Sequence, residues 1–415
     1  MRCLRFSTME LSEPARCRRL PPWRCASSET IREDRARDQD QVRITGVQTL
    51  HCHAGWRNYH FCKITTDEGI VGWSEFDEGF GSPGVSTVIE ALTTRLIGQS
   101  VFDHEPIYTA LFYATRPAAG SVVGQGIGAI ENALLDAKAK ALSVPVATLL
   151  GGRVCDRVPV YLSHCGMWRI AYGKYVGNPI TDLAGIKALG EKVRDKGSSA
   201  LKTNLFVDRD GSLLPWAPGF AINGSPALNS EREVLDGVHK VLIAFREGAG
   251  DDVGLLLDLN VNMKTAGVLE LLRYMEDIDL FWLEYDNDPL EALRLIRDHA
   301  HTQIASLETK IGPPAFVPYF NQQSVDVAII DTIWSGTWQS MKIAAMAAAV
   351  PHLRIMETDI DRIALDDELF TVTPTIENGE LVVSDAPGWG TEPLGEVIWA
   401  HPPKRGPGFL VGRGN

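Results

Sequence analysis

Residues 253–260 read VGLLLDLN, residues 280–286 LFWLEYD and residues 302–308 TQIASLE. Each is a short apolar run that closes on or near a carboxylate. Asp258 and Glu284 are 26 residues apart, and Glu284 and Glu308 are 24 apart. An apolar run followed by an amphipathic stretch, repeated about every 25 residues, is one β/α unit, and strands that alternate with helices pair in parallel.

Working outward, the period continues. VDVAIID (325–331) and HLRIMETD (352–359) follow at intervals of 23 to Asp331 and 26 to Glu357. VPVYLS (158–163) and SALKTN (199–204) precede it. Seven such runs predict a TIM-type barrel, for which eight strands are the complete set. The stretch DRDGSLLPWAPGFAINGSP (208–226), rich in Gly, Pro and Ser, reads as a loop over the barrel mouth.

Residues 42–155 have another texture. Alternating apolar positions in VRITGVQTLHCHAG and YHFCKITTDEGIVGWSE flank a hairpin-type turn at Asp67-Glu68-Gly69. A helical region follows at about 85–115. In GAIENALLDAKAKALSVPVATLLGG (128–152) Ile130, Leu134, Leu135, Ala139 and Leu142 recur at helical spacing until Pro145 and Gly151-Gly152 stop it. This is an α+β module. Residues 156–365 form the barrel, and 366–415 contain a hairpin, TPTIENGELVVSD, and an irregular APGWGTEP.

Residues 1–41 hold nine Arg, no Lys and seven acidic residues without periodicity, and read as a disordered extension or a mis-assigned start. Their Arg-rich beginning makes a mitochondrial address the alternative to a cytoplasmic one. The whole chain of 415 residues is 45% hydrophobic, carries a formal charge of −13 and has no apolar run of membrane-spanning length. That composition predicts a folded core, disfavours nucleic acid as a partner and predicts no membrane segment. Seven scattered Cys without a C-x-x-C pair read as reduced thiols.

In a β/α barrel every strand opens its C-terminal end on the same mouth. Carboxylates on three consecutive strands, Asp258, Glu284 and Glu308, therefore converge and repel unless a cation joins them. An all-oxygen set without His favours Mg²⁺ over Zn²⁺. The alternative is that each merely caps the helix that follows it.

On these residues the chain resembles the enolase superfamily, in its mandelate racemase/muconate lactonizing branch. ENALLDAKAKALSVPVATLLGG (131–152) is similar to the helix and Gly-Gly exit that join that branch's capping domain to its barrel. LLLDLN, FWLEYD and IASLET match its metal-bearing strands in order, and RIMETDID with APGWGTEP its last strand and return to the cap. The resemblance implies an α+β capping domain (42–155) on a modified (β/α)7β barrel, with 366–415 returning to the cap. It implies Mg²⁺ on Asp258, Glu284 and Glu308, and removal of the proton α to a substrate carboxylate. Lys202 matches the first Lys of the family's K-x-K, which helps bind that carboxylate. Asn204 stands where the second Lys, the usual base, is found. Asn260 matches a substrate contact, Asp331 the residue that orients a seventh-strand His, and Glu357 the hydrogen-bond partner of the substrate carboxylate. His51, His53, Trp56, Arg57 and Tyr59 fall in a cap loop like those that close over substrate.

One unit is missing from this pattern. Only 26 residues separate Asp331 and Glu357, where the family has two units, and His352, the His nearby, precedes the final strand. Two accounts fit: a gene model that omits the unit, or a catalytically silent member acting as a binding or oligomer subunit. The expectation for the lineage is a Mg²⁺-dependent hydro-lyase acting on a sugar-acid carboxylate, with a racemase or epimerase as the alternative. Barrel enzymes of this kind also form homo-oligomers.

Overall fold

The structure is a computed structural model. It describes residues 42–404 except 56, 80–81, 221–230, 287–288 and 349–353. The expectations for residues 1–41, Trp56 and His352 lie outside the described residues. All that follows concerns the compact unit of Val42–Asn415.

The N-terminal module is an antiparallel sheet of β1 (Ile44–His53), β2 (Asn58–Thr66) and β3 (Val71–Phe76). One face buries Ile44, Cys62, Ile64 and Phe76 against the helices Val85–Leu92 and Ser121–Ala141; Leu50, Cys52, Phe61 and Trp73 of the other face pack on Leu369 and Ile398 near the C-terminus. The helix predicted from 128 starts at Ser121. A Cβ on Gly72 would lie 2.1 Å from the Ala133 carbonyl oxygen, so glycine is what lets β3 seat on this helix. The helical region expected at 85–115 is broken by a turn between Leu92 and His104.

The motif helix earns its composition through buried polar ties. Asp136 accepts from the backbone N–H groups of Trp73 (2.8 Å) and Trp389 (2.9 Å) and from Lys140 (2.6 Å). It thereby joins the cap sheet, the helix and the GWG stretch. Glu131 accepts from Gln339 Nε2 (2.7 Å) and Trp338 N (3.1 Å), and Asn132 Nδ2 donates to the Thr332 carbonyl (2.9 Å). These bonds dock the cap helix on the segment that follows the sixth barrel strand.

All seven predicted barrel strands are present: β4 (Arg157–Ser163), β5 (Ala200–Thr203), β8 (Gly254–Asp258), β9 (Leu280–Glu284), β10 (Ile304–Ser306), β11 (Val327–Ala328) and β12 (Met356–Asp359). The first half of the expected mouth loop is a hairpin, β6 (Phe206–Arg209) and β7 (Ser212–Pro215). The parallel order is β12-β4-β5-β8-β9-β10-β11. Among the described residues β11 pairs only with β10 and β12 only with β4, so the barrel stays open where the sequence lacks a unit. The tail hairpin, β13 (Ile376–Glu377) and β14 (Glu380–Val382), turns at Asn378-Gly379, both with positive φ, and pairs antiparallel with the start of β4. Among the described residues four cysteines are free thiols, and no helix is long and apolar enough to cross a membrane.

Candidate active site

The parallel register brings the carboxylates to one level. Asp258 pairs with Glu284 across β8 and β9, and Ala305 of β10 pairs with Glu284, placing Glu308 just beyond the end of the neighbouring strand. Leu307, the residue before Glu308, has φ 88°. A leucine in the left-handed region costs on the order of 1–3 kcal/mol, and such strain clusters at functional sites.

Lys202, at the end of β5, enters this group from the side. Its Nζ lies 3.1 Å from Glu284 Oε2 and 2.9 Å from Glu357 Oε2, 5.6 Å from the Tyr161 ring centre. Tyr161 pairs with Glu357 in the β4–β12 register, and its hydroxyl donates to that carboxylate. Asp258 accepts from Asn204 Nδ2 (3.2 Å), Asn260 Nδ2 (2.8 Å) and the Asn260 backbone N–H (2.7 Å).

The electrostatics follow from burying many anions beside one ammonium. Burial, outweighing Lys202, raises Glu284, with Asp258 and Glu357 adding repulsion. Burial likewise raises Glu308 well above the usual range, with Glu284 and Asp286 adding to it. Asp286 is pushed up to about 7 by burial and by Asp258, and its buried Oδ1 has no hydrogen-bond partner. Glu357 is the exception. Burial pushes it up, but Lys202, His164 and the hydroxyls of Ser163 and Tyr161 outweigh that and bring it to about 2. Lys202 is held charged, because Glu284, Glu357 and Tyr161 overcome its burial.

This donor set fits a hard divalent cation: it is all oxygen, and the crowding of buried carboxylates that raises Glu284 and Glu308 is what a cation would relieve. The oxygens of Asp258, Glu284 and Glu308 do not all lie within 4.8 Å of one another, so side-chain rotation has to complete a shared ligand shell.

The other predicted residues are distributed as follows. Asp331 caps the helix Thr332–Ser335, accepting from Ile333 N (2.7 Å) and Trp334 N (3.4 Å). Burial raises it to about 6 against those two bonds, with Glu357 and Asp77 contributing. His51 and His53 belong to β1 and Tyr59 to β2, not to a loop, because the hairpin ladder runs on through His53↔Asn58. The residues between are the loop, and in it the Arg57 guanidinium lies 5.2 Å from the Tyr59 ring centre. His53 Nε2 is buried without a hydrogen-bond partner.

Sequence reading missed three features. Tyr161 and Asp286 are two. The third is His164, which follows β4 in a left-handed conformation (φ 52°) with Nδ1 3.3 Å from Asp359 Oδ2 and its ring 4.7 Å from Trp168. Its charge reaches Glu357 and Asp258. The signal was present in LSHCGMW, at the end of the first strand, but nothing there foretells a carboxylate 195 residues away.

A barrel that gathers carboxylates at one rim beneath an α+β cap defines a class, and the comparisons give the family. Residues 37–151 match the family model described as the N-terminal domain of mandelate racemase/muconate lactonizing enzyme, and 186–351 the enolase C-terminal domain-like model. The chain belongs to the enolase superfamily. It is 27% identical over 384 residues to a D-mannonate dehydratase of Caulobacter vibrioides, covering 84% of this chain and 92% of that one. A D-galactonate dehydratase family member of Streptomyces bingchenggensis is 29% identical over 375 residues, covering 86% of each. A solved structure from Burkholderia xenovorans, bound to magnesium and fumarate and named as a proposed L-alanine-DL-glutamate epimerase, is 55% identical with a TM-score of 0.84, covering 87% of this chain and 96% of that one.

Proposed function

We propose that the chain is a hydro-lyase that uses Mg²⁺ to dehydrate a sugar-acid carboxylate, starting with removal of the proton α to the carboxylate. The observation that carries this is the cluster Asp258–Glu284–Glu308 beside Lys202. The three carboxylates would hold Mg²⁺, which supplies stabilisation of the negative charge that develops on the substrate carboxylate as the proton leaves.

The chain's own side chains do the rest. Lys202, kept charged by Glu284 and Glu357, donates to a substrate carboxylate oxygen. Glu357 is an ionised anchor for Lys202, steadied by Tyr161. Asn204 cannot accept a proton and holds Asp258. The base in this reading is His164, whose Nδ1 faces Asp359 at 3.3 Å without a hydrogen bond and whose Nε2 is left to act. The α-proton moves to Nε2 and its electron pair enters the enediolate. Collapse of the enediolate breaks the β C–O bond, and His164 returns the proton to the departing hydroxide as water.

A second reading is an epimerase, favoured by the name of the 55% identical Burkholderia structure. It requires proton donors on both substrate faces. One experiment separates the two: incubation with Mg²⁺ in D₂O with a panel of hexonates and of alanyl-glutamate dipeptides. Keto-acid formation supports the lyase. Deuterium at the α-carbon with inversion and no keto acid supports the epimerase. No Mg²⁺-dependent reaction with either panel contradicts both and leaves the silent subunit.

A further inference from the structure

We propose that His51, His60 and Glu78 form a second metal site, in the cap, for a borderline transition-metal ion of the Zn²⁺ class. His51 and His60 are directly opposed on β1 and β2, and their Nδ1 atoms are 2.7 Å apart. Among the described residues these two imidazoles and Glu78 are the His, Cys, Asp or Glu set whose ligand atoms all lie within 4.8 Å of one another.

Two facing ring nitrogens of the same kind need something between them, a proton or a cation. The surroundings favour the cation. His60 is buried and its Nε2 has no hydrogen-bond partner, so the choice between proton and cation falls to the Nδ1 side, where Glu78 adds an anionic ligand. Glu78 supplies the negative charge and is held in place, since its Oε1 accepts from Gly84 N and Ser86 Oγ, both at 2.8 Å, and Ser86 N at 3.4 Å. Such outer hydrogen bonds orient metal ligands. Phe76 packs against both rings, at 6.0 and 5.7 Å, and forms an apolar wall.

Two nitrogens and one oxygen suit Zn²⁺ rather than Mg²⁺, which sets this site apart from the all-oxygen rim. With metal–nitrogen bonds of about 2.0–2.1 Å, tetrahedral ligands stand about 3.3 Å apart, so the pair opens by about 0.6 Å, a small ring rotation. The ion would tie β1 and β2 to the loop after β3. That loop carries Asp77, whose charge reaches Asp331 at the barrel mouth. The site is therefore a clip within the cap.

The test is calorimetric titration of the metal-stripped full chain with Zn²⁺ in saturating Mg²⁺. One Zn²⁺ per chain is expected in the wild type and in Glu284→Gln, with at least about tenfold weaker uptake in His60→Gln and in Glu78→Gln. Co²⁺ loading gives a second readout: visible d–d bands without thiolate charge transfer, lost in His51→Gln. If His60→Gln does not fold, Glu78→Gln and the Co²⁺ spectrum decide. No zinc uptake by the wild type, or uptake unchanged in Glu78→Gln and the His variants, overturns the proposal and leaves a proton-sharing histidine pair.

Discussion

Lys202 and Glu357 meet over the first barrel strand: Nζ of β5 and Oε2 of β12 are 2.9 Å apart, and β4 runs between them. The pair joins the two strands that flank β4, with Glu284 on the other side of the ammonium. Removing one partner of a buried ion pair strands the other charge. Lys202→Met is expected to destabilise the Mg²⁺-free protein by about 3–5 kcal/mol in urea unfolding. A loss below about 1 kcal/mol would show that the ammonium does not balance these carboxylates.

Asp136 ties Trp73, Trp389 and Lys140 together in a fully buried position. Asp136→Ala leaves the buried backbone donors of Trp73 and Trp389 unmet and removes one of the three partners of Lys140, which keeps the Val71 carbonyl and Glu392. A destabilisation of about 3–5 kcal/mol is expected in thermal or denaturant melts, far above that of an exposed aspartate such as Asp385.

Glu131 gives a pH signature. Burial raises it from 4.5 to about 7, against the bonds from Gln339 and Trp338. The folded state then holds a proton that the unfolded chain releases, so this contribution is full below pH 4.5 and is lost as pH rises towards 7. The stability of the wild type relative to Glu131→Gln should fall by roughly 3 kcal/mol across that window. A flat or rising difference contradicts the assignment.

His164→Asn tests the base. A drop in kcat of about 10²–10⁴ with KM little changed is expected, and Asp359→Asn should shift the pH profile of kcat. An unchanged kcat in His164→Asn moves the base elsewhere.

The open seam is measurable too. Amide exchange at Val327–Ala328 and Met356–Asp359 should be at least about tenfold faster than at Gly254–Asp258, which is paired on both sides. Equal protection would mean that something covers both edges.

The parts legible in the sequence are those with a local signal. Each of the seven barrel strands was an apolar run bounded by turn residues, and Asp258, Glu284 and Glu308 could be aligned by their spacing alone. The gap between Asp331 and Glu357 likewise foretold the edges of β11 and β12 that have no partner among the described residues. What escaped depends on register between distant strands. Tyr161 meets Glu357 because β12 returns to pair with β4, and no spacing rule links two residues 196 apart. His51 and His53 were read into a loop, although Leu50 and Cys52 buried on one face and His51 and His53 on the other already formed a period of two.

The central claim is that Asp258, Glu284 and Glu308 hold one Mg²⁺. The direct measurement is calorimetric Mg²⁺ titration of the folded, metal-stripped chain and of Asp258→Asn, Glu284→Gln and Glu308→Gln. One ion per chain in the wild type, weakened at least about tenfold by each substitution, is the predicted result. No uptake by the wild type, or uptake that all three variants retain, contradicts the account.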